Sequence, residues 1–189
     1  MGRNVTRGRS APYQQSVDPM VQFREQQQFR QPWLWIVFAA VSLPLLALLG
    51  FSIFQQMVLG EPVGNQPVSD FELIGIFTGV LLLHTLIIGL FWIARLDVAV
   101  TQTDVTVRFR PFHLSPMRIP LRDIVDARAR EYSALGEYGG WGIRLGIGGR
   151  AYNVSGNEGV QLTLANGKEI LIGSQKSSEL EAAIRAARS

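Results

Sequence analysis

The chain has 189 residues, no cysteine and two histidines, which excludes disulfides, thiolate chemistry and a metal centre built from Cys or several His. Its 47% hydrophobic and 17% charged content reads as globular only until position is considered, because the apolar residues gather in two runs, Trp33–Phe54 and Leu73–Ala94. The net charge of +3, carried by arginine in 16 of 18 basic positions, is too mild to imply a nucleic-acid partner.

Residues 1–31 are polar, with Arg3, Arg7, Arg9, Arg24 and Arg30 set against Asp18 and Glu25. That composition predicts a disordered basic tail. Residues 32–94 read as a transmembrane hairpin and 95–189 as a soluble domain. Trp33–Phe54 is the first span, with Pro44 expected to kink it. Gly60–Phe71 holds Pro, Gly and Asn and reads as a short re-entry loop. Leu73–Ala94 is the second span: 22 residues with His84 as the one ionisable side chain. At about 1.5 Å per residue it reaches roughly 33 Å, enough for a hydrocarbon core of about 30 Å. Trp33, Trp35 and Trp92 are expected at one face as an aromatic belt. The loop side carries Glu61, Asp70 and Glu72 and no Lys or Arg, whereas Arg24, Arg30, Arg95, Arg108 and Arg110 flank the other side. The positive-inside rule then predicts a multi-pass cell-membrane protein with both termini in the cytoplasm.

Two polar residues fall inside the spans. Ser42 and His84 come out level in depth, so a neutral His84 bonded to Ser42, or to the Ala40 carbonyl released by Pro44, stands beside a proton-linked role. Gly75 and Gly79 at four-residue spacing predict close helix packing, either near Gly50 or in a homodimer.

From Arg95 the apolar period becomes two. VAVTQ and DVTVRFRPF predict a hairpin turning near Thr103-Asp104, and IPLRDIVDARAREY a turn at Pro120 followed by a strand. WGIRLGI and AYNVSG add two strands. GVQLTL and EILIGS pair across Asn166-Gly167, which suits a type I′ turn. Ser178 to Glu181 is a capping-box pattern opening a helix that turns Leu180, Ala183, Ile184 and Ala187 inward. About seven strands and one closing helix describe a small curved sheet or barrel plugged at one end.

Ile119-Pro120-Leu121-Arg122-Asp123-Ile124, Gly139-Gly140-Trp141-Gly142-Ile143-Arg144 and the run from Ala151 to Gln175 resemble a prokaryotic, bacterial pleckstrin-homology-like domain preceded by two membrane spans. The resemblance implies that fold and a membrane location, and neither an enzymatic activity nor a cofactor. The phosphoinositide site of eukaryotic relatives has no matching basic loop here.

No catalytic residue emerges. His113 in PFHLSP reads as a solvated turn, and the glycines at 139, 140 and 142 open no helix, so they form no nucleotide fingerprint. Alternation places Trp141, Ile143 and Leu145 on one strand face and Arg144 on the other. Trp141 then reads as a core ring admitted by its glycines. The alternative is a binding groove in which Arg144, with Arg150, receives a peptide carboxylate or a lipid phosphate. Arg108, Arg110, Arg118, Arg128 and Arg130 read as solvated strand faces. The expectation is a non-enzymatic scaffold or interaction protein anchored in the lipid bilayer and binding a protein or peptide partner. Anionic lipid headgroup recognition is the alternative.

Overall fold

A computed structural model describes residues 21–64, 68–146 and 148–189. Two long helices, α1 (Pro32–Met57) and α2 (Asp70–Ile93), correspond to the two apolar runs. Pro32 opens α1, where its missing N–H has no intrahelical partner to lose. Ser69 caps α2: its hydroxyl accepts the Glu72 N–H at 3.4 Å while the Glu72 carboxylate accepts the Ser69 N–H at 2.9 Å. Both helices are long and apolar enough to cross a membrane, and only 6% of each apolar window is buried, so neither is a core helix of the β region. Ser42, Ser52 and Leu73 are their buried members.

The rest is mostly β. The described residues form nine strands in two sheets, against the seven expected. The first sheet has the order β1 (Val21–Gln28), β2 (Arg95–Thr101), β3 (Asp104–Arg110), β4 (Met117–Pro120), all antiparallel. A 3₁₀ turn at Leu121–Asp123 leads into the second, in which β5 (Ile124–Glu131), β8 (Glu158–Leu164), β9 (Glu169–Gly173), β7 (Gly149–Asn153) and β6 (Gly142–Gly146) lie side by side. β7 and β9 run parallel and the other pairs antiparallel. A short helix, α3 (Ala134–Tyr138), precedes β6, and α4 (Ser177–Arg188) ends the chain.

The unexpected strands are β4 and β1, and β1 corrects the reading of 1–31 as a tail. Residues 21–28 pair with β2 from Val21↔Thr101 to Gln28↔Arg95, so the two apolar helices are an insertion between adjacent strands of one sheet. Phe23, Glu25, Gln27 and Phe29 all face inward. Two of those four are polar, which hides the strand from any reading based on apolar alternation. The Glu25 carboxylate and the Gln27 amide nitrogen meet partners supplied from elsewhere in the fold, while Gln27 Oε1 is buried with no hydrogen-bond partner. Glu25 accepts from Ser174 Oγ at 2.5 Å and from the Gln175 N–H at 2.9 Å, and Gln27 Nε2 donates to the Gly173 carbonyl at 2.8 Å. Residues 1–20 of the expected tail lie outside the described residues.

One core serves both sheets. Leu96, Val98, Val105, Val107 and Phe109 meet Tyr152, Val160, Leu162 and Ile172, and Leu180 and Ile184 of α4 close it. Ala183 and Ala187 pack beside them as expected. Two local expectations fail. Helix α4 starts at Ser177 with Lys176 at its cap and no side-chain cap bond. Glu181, placed within the helix, instead accepts the Ala129 N–H at 2.7 Å. At the β8–β9 connection only Gly167 takes a positive φ (76°), and its N–H bonds the Leu164 carbonyl at 2.9 Å. The turn is therefore a three-residue loop with glycine in the left-handed position, because type I′ requires positive φ at Asn166 as well.

Candidate functional site: the seam between the apolar helices and the β domain

The last turn of α2 runs directly into β2, and Gln28 of β1 stands opposite Arg95. Both connections therefore leave the β domain at the same end. Aromatic rings fill the seam between. Phe29 packs against Phe91 at 5.2 Å and Phe109 at 6.2 Å between centroids, and Phe38 meets Phe91 at 5.1 Å. Trp35 lies 5.7 Å from Trp92 and Trp33 lies 5.3 Å from Trp141, so the three tryptophans expected as a belt do gather at one end of the helices. Gln31 Nε2 donates to the Val154 carbonyl at 2.7 Å, pinning the start of α1 to the second sheet.

Trp141 reaches this seam because of its glycines. Gly139, Gly140 and Gly142 take φ of 69°, 128° and 113°, which L side chains rarely adopt. A Cβ on Gly139 would meet nothing within 4 Å, and one on Gly140 or Gly142 would meet only the Arg144 guanidinium. The expectation that they make room for the ring is corrected: they set the path of the backbone. Asn153 Oδ1 accepts the Gly142 N–H at 2.9 Å, and the Trp141 indole N–H donates to the Gly156 carbonyl at 3.4 Å.

The result is a cavity of about 300 Å³. Leu90, Phe91 and Ala94 form its helix side, Phe29, Phe109 and Phe112 its floor, and Trp141 to Arg144 the opposite wall. Among these lining residues Arg144 alone is charged. Its Nε donates to the Trp141 carbonyl at 2.9 Å, which turns the guanidinium back over Gly140 and the indole's own segment. Trp141 and Arg144 thus share one site and do not point away from each other. The proposed buried face of Trp141, Ile143 and Leu145 is also corrected: Trp141 is half-buried, and Ile143 and Leu145 are 39% and 77% exposed, because β6 is an edge strand. Arg150 is not part of the site. It stands opposite Leu145, donates to the Tyr152 hydroxyl at 3.3 Å, and lines a separate cleft with Lys168 and Glu169.

The wall is held by a polar network under α3. Arg130 donates to Glu137 at 2.8 Å, to the Tyr138 hydroxyl at 3.2 Å and to Gln161 at 3.1 Å. The bond from Arg130, helped by the Ser133 N–H, holds the Glu137 carboxyl below the usual carboxylate range, and Glu137 in turn raises Arg130. Burial pushes the Tyr132 and Tyr138 hydroxyls up. Arg130 was expected on a solvated face; it is instead a strut that fixes α3, and with it the Gly139–Gly142 segment, on the second sheet.

Three other expectations change. His84 Nδ1 lies 2.9 Å from the Val80 carbonyl, one turn back on its own helix, and not on Ser42 or the Ala40 carbonyl. A Cβ on Gly75 or Gly79 would meet nothing within 4 Å, while Gly50 faces the Phe77 ring at 4.0 Å, so these glycines do not pack together. His113 is half-buried; its Nδ1 accepts the Phe109 N–H at 3.2 Å and its ring lies 5.7 Å from Tyr152. Among the described residues no group of three or more His, Asp or Glu is placed to hold a metal ion. Reading the sequence missed Phe29, Phe91, Phe109 and Phe112 as site residues. Each sits within three residues of a strand or helix end at the seam, a signal visible only once β1 is recognised as a strand. No protein-family model matches the chain, and no curated protein matches it in sequence.

Proposed function

We propose that this protein is a non-enzymatic interaction module anchored in the cell membrane. In this reading α1 and α2 cross the bilayer, both termini face the cytoplasm, and a pleckstrin-homology-like domain is held at the inner leaflet, where it binds an apolar segment of a partner protein. One observation carries it: an open, mainly apolar cavity, with Arg144 as the single charge among its lining residues, lies where the helices join the β domain. Such a site suits a hydrophobic side chain close to a carboxylate, since burial of apolar surface supplies affinity and the guanidinium supplies orientation. The pairing of β1 with β2 on either side of the helical insertion supports this reading, because it ties the cavity to the ends of both apolar helices. The one-sided arginine distribution supports the topology.

A photo-crosslinking residue at Ile143, on the exposed rim, tests the proposal in cells. A discrete protein adduct that disappears in Arg144→Glu is the expected result. Crosslinks to lipid alone would overturn the partner reading. Reporter fusions at the N-terminus, Gly64 and the C-terminus test the topology, and cytoplasmic exposure of Gly64 would refute it.

A further inference from the structure

A second site lies on the outer face of the first sheet, beside the end of α2. Arg95, Arg108 and Arg110 all project from that face, because Arg95 pairs with Arg110 and Asp97 with Arg108 while Leu96, Val107 and Phe109 turn inward. Together with Trp92 and the β3–β4 loop they line a cleft of about 560 Å³ that contains no acidic residue. Asp97 stands beside it, 3.1 Å from Arg110 and 3.7 Å from Arg95, and balances one of the three positive charges.

The loop itself, Pro111 to Pro116, is held in a fixed shape that displays apolar side chains. Arg108 donates to the His113 carbonyl at 3.3 Å and the Leu114 carbonyl at 2.8 Å, and the His113 N–H bonds the Phe109 carbonyl at 2.7 Å. With its backbone so tied, Leu114 remains 91% exposed and Phe112 56% exposed. A single exposed leucine is ordinary on a soluble surface. Here Leu114 shares the cleft with Trp92 and Ile93, which end the second apolar helix and are themselves exposed, while Phe112 packs on Phe109 at the other cavity. Apolar side chains at the level of an aromatic belt, with arginines immediately outward, reproduce the layering of a bilayer interface: acyl boundary, then phosphate.

We propose that the Pro111–Pro116 loop inserts Leu114 into the inner leaflet and that Arg95 and Arg110 bind the phosphate of an anionic phospholipid headgroup in the cleft beside Trp92. This rests on the membrane-anchoring reading above. It makes the anchor more than two spans, since the domain would also be oriented by the lipid it touches.

The absence of cysteine provides the test, because Leu114→Cys and Lys168→Cys each give a unique spin-labelling position in the full chain. The labelled proteins are placed in nanodiscs of phosphatidylcholine with phosphatidylglycerol, and accessibility to oxygen and to a water-soluble nickel chelate is measured. The label at Leu114 should report the acyl boundary and the label at Lys168 bulk water. In parallel, native mass spectrometry of protein released from the mixed discs reads which lipid is retained. The unsubstituted chain should retain phosphatidylglycerol in preference to phosphatidylcholine. Arg95→Gln with Arg110→Gln should lower that preference by about fivefold for each arginine removed, whereas the Lys pair should keep most of it. Inorganic phosphate in the buffer should not displace the lipid, which separates a headgroup site from a free-phosphate site. A chain that never enters the discs overturns the anchoring reading and this proposal with it. A chain that inserts but leaves Leu114 as water-exposed as Lys168, or shows no lipid preference, overturns this proposal alone.

Discussion

Glu25 offers the sharpest test of the fold, because the composition of its surroundings assigns it to a disordered tail and the structure buries it. Its carboxylate accepts from Ser174 Oγ and from the Gln175 N–H, just ahead of a helix whose cap residue, Lys176, makes no side-chain capping bond. A negative charge there also faces the positive end of the α4 dipole. Glu25→Ala removes two hydrogen bonds to a charged acceptor, each worth about 1.5–3 kcal/mol, and returns the desolvation of a buried carboxylate, for a net loss of about 2–4 kcal/mol. Arg24→Ala, one position away on the exposed face, should change stability by less than about 0.5 kcal/mol. The assay is urea unfolding in mild detergent followed by hydrogen exchange of the 95–101 and 173–178 amides. Exchange should accelerate in both segments for Glu25→Ala and in neither for Arg24→Ala. If the two variants unfold alike, β1 does not belong to the folded domain.

Three further outcomes follow from the same contacts. Fusing residues 20–29 to 94–189 through an Asn-Gly turn replaces the helical insertion with a two-residue hairpin and should give a soluble, cooperatively folding β domain. The 95–189 fragment, with the edge of β2 bare, should aggregate instead, and equal melting of the two by circular dichroism would refute that. Trp141→Ala should cost about 1–3 kcal/mol, less than a fully buried ring would, with the loss read by thermal unfolding. Glu137 has a folded-state value below its ordinary one, so its contribution is present above the usual carboxylate range and lost as pH falls through it. Glu137→Gln should therefore lower stability at pH 7 by up to about 1 kcal/mol, a modest figure for a partly exposed pair, and should flatten the acid limb of the stability–pH curve.

Legibility in the sequence divides along physical lines. The two apolar helices were visible because their signal is local: unbroken runs long enough to span a bilayer, ended by charge. The strands from β2 to β9, apart from the short β4, were visible for a related reason, since period-two alternation with glycine turns is written within each segment. The inward set of α4 came from its 3.6-residue period. The candidate site was legible only in part. Trp141 and Arg144 drew attention through their glycine-rich setting, yet alternation sent them to opposite faces, because period two holds inside a strand and Trp141 precedes β6 at three glycines of positive φ.

By itself, then, the sequence determined the elements whose partners do not matter: two long apolar helices, most of the strands and a closing amphipathic helix. Tertiary structure decided where polar side chains are buried. Glu25 and Gln27 look solvated along the chain and become interior, and Gln31 half-buried, because Ser174, Gln175, Gly173 and Val154, more than a hundred residues later, present the complementary groups. A buried polar residue is tolerated only by the partner it finds, and no local pattern records a partner that far away.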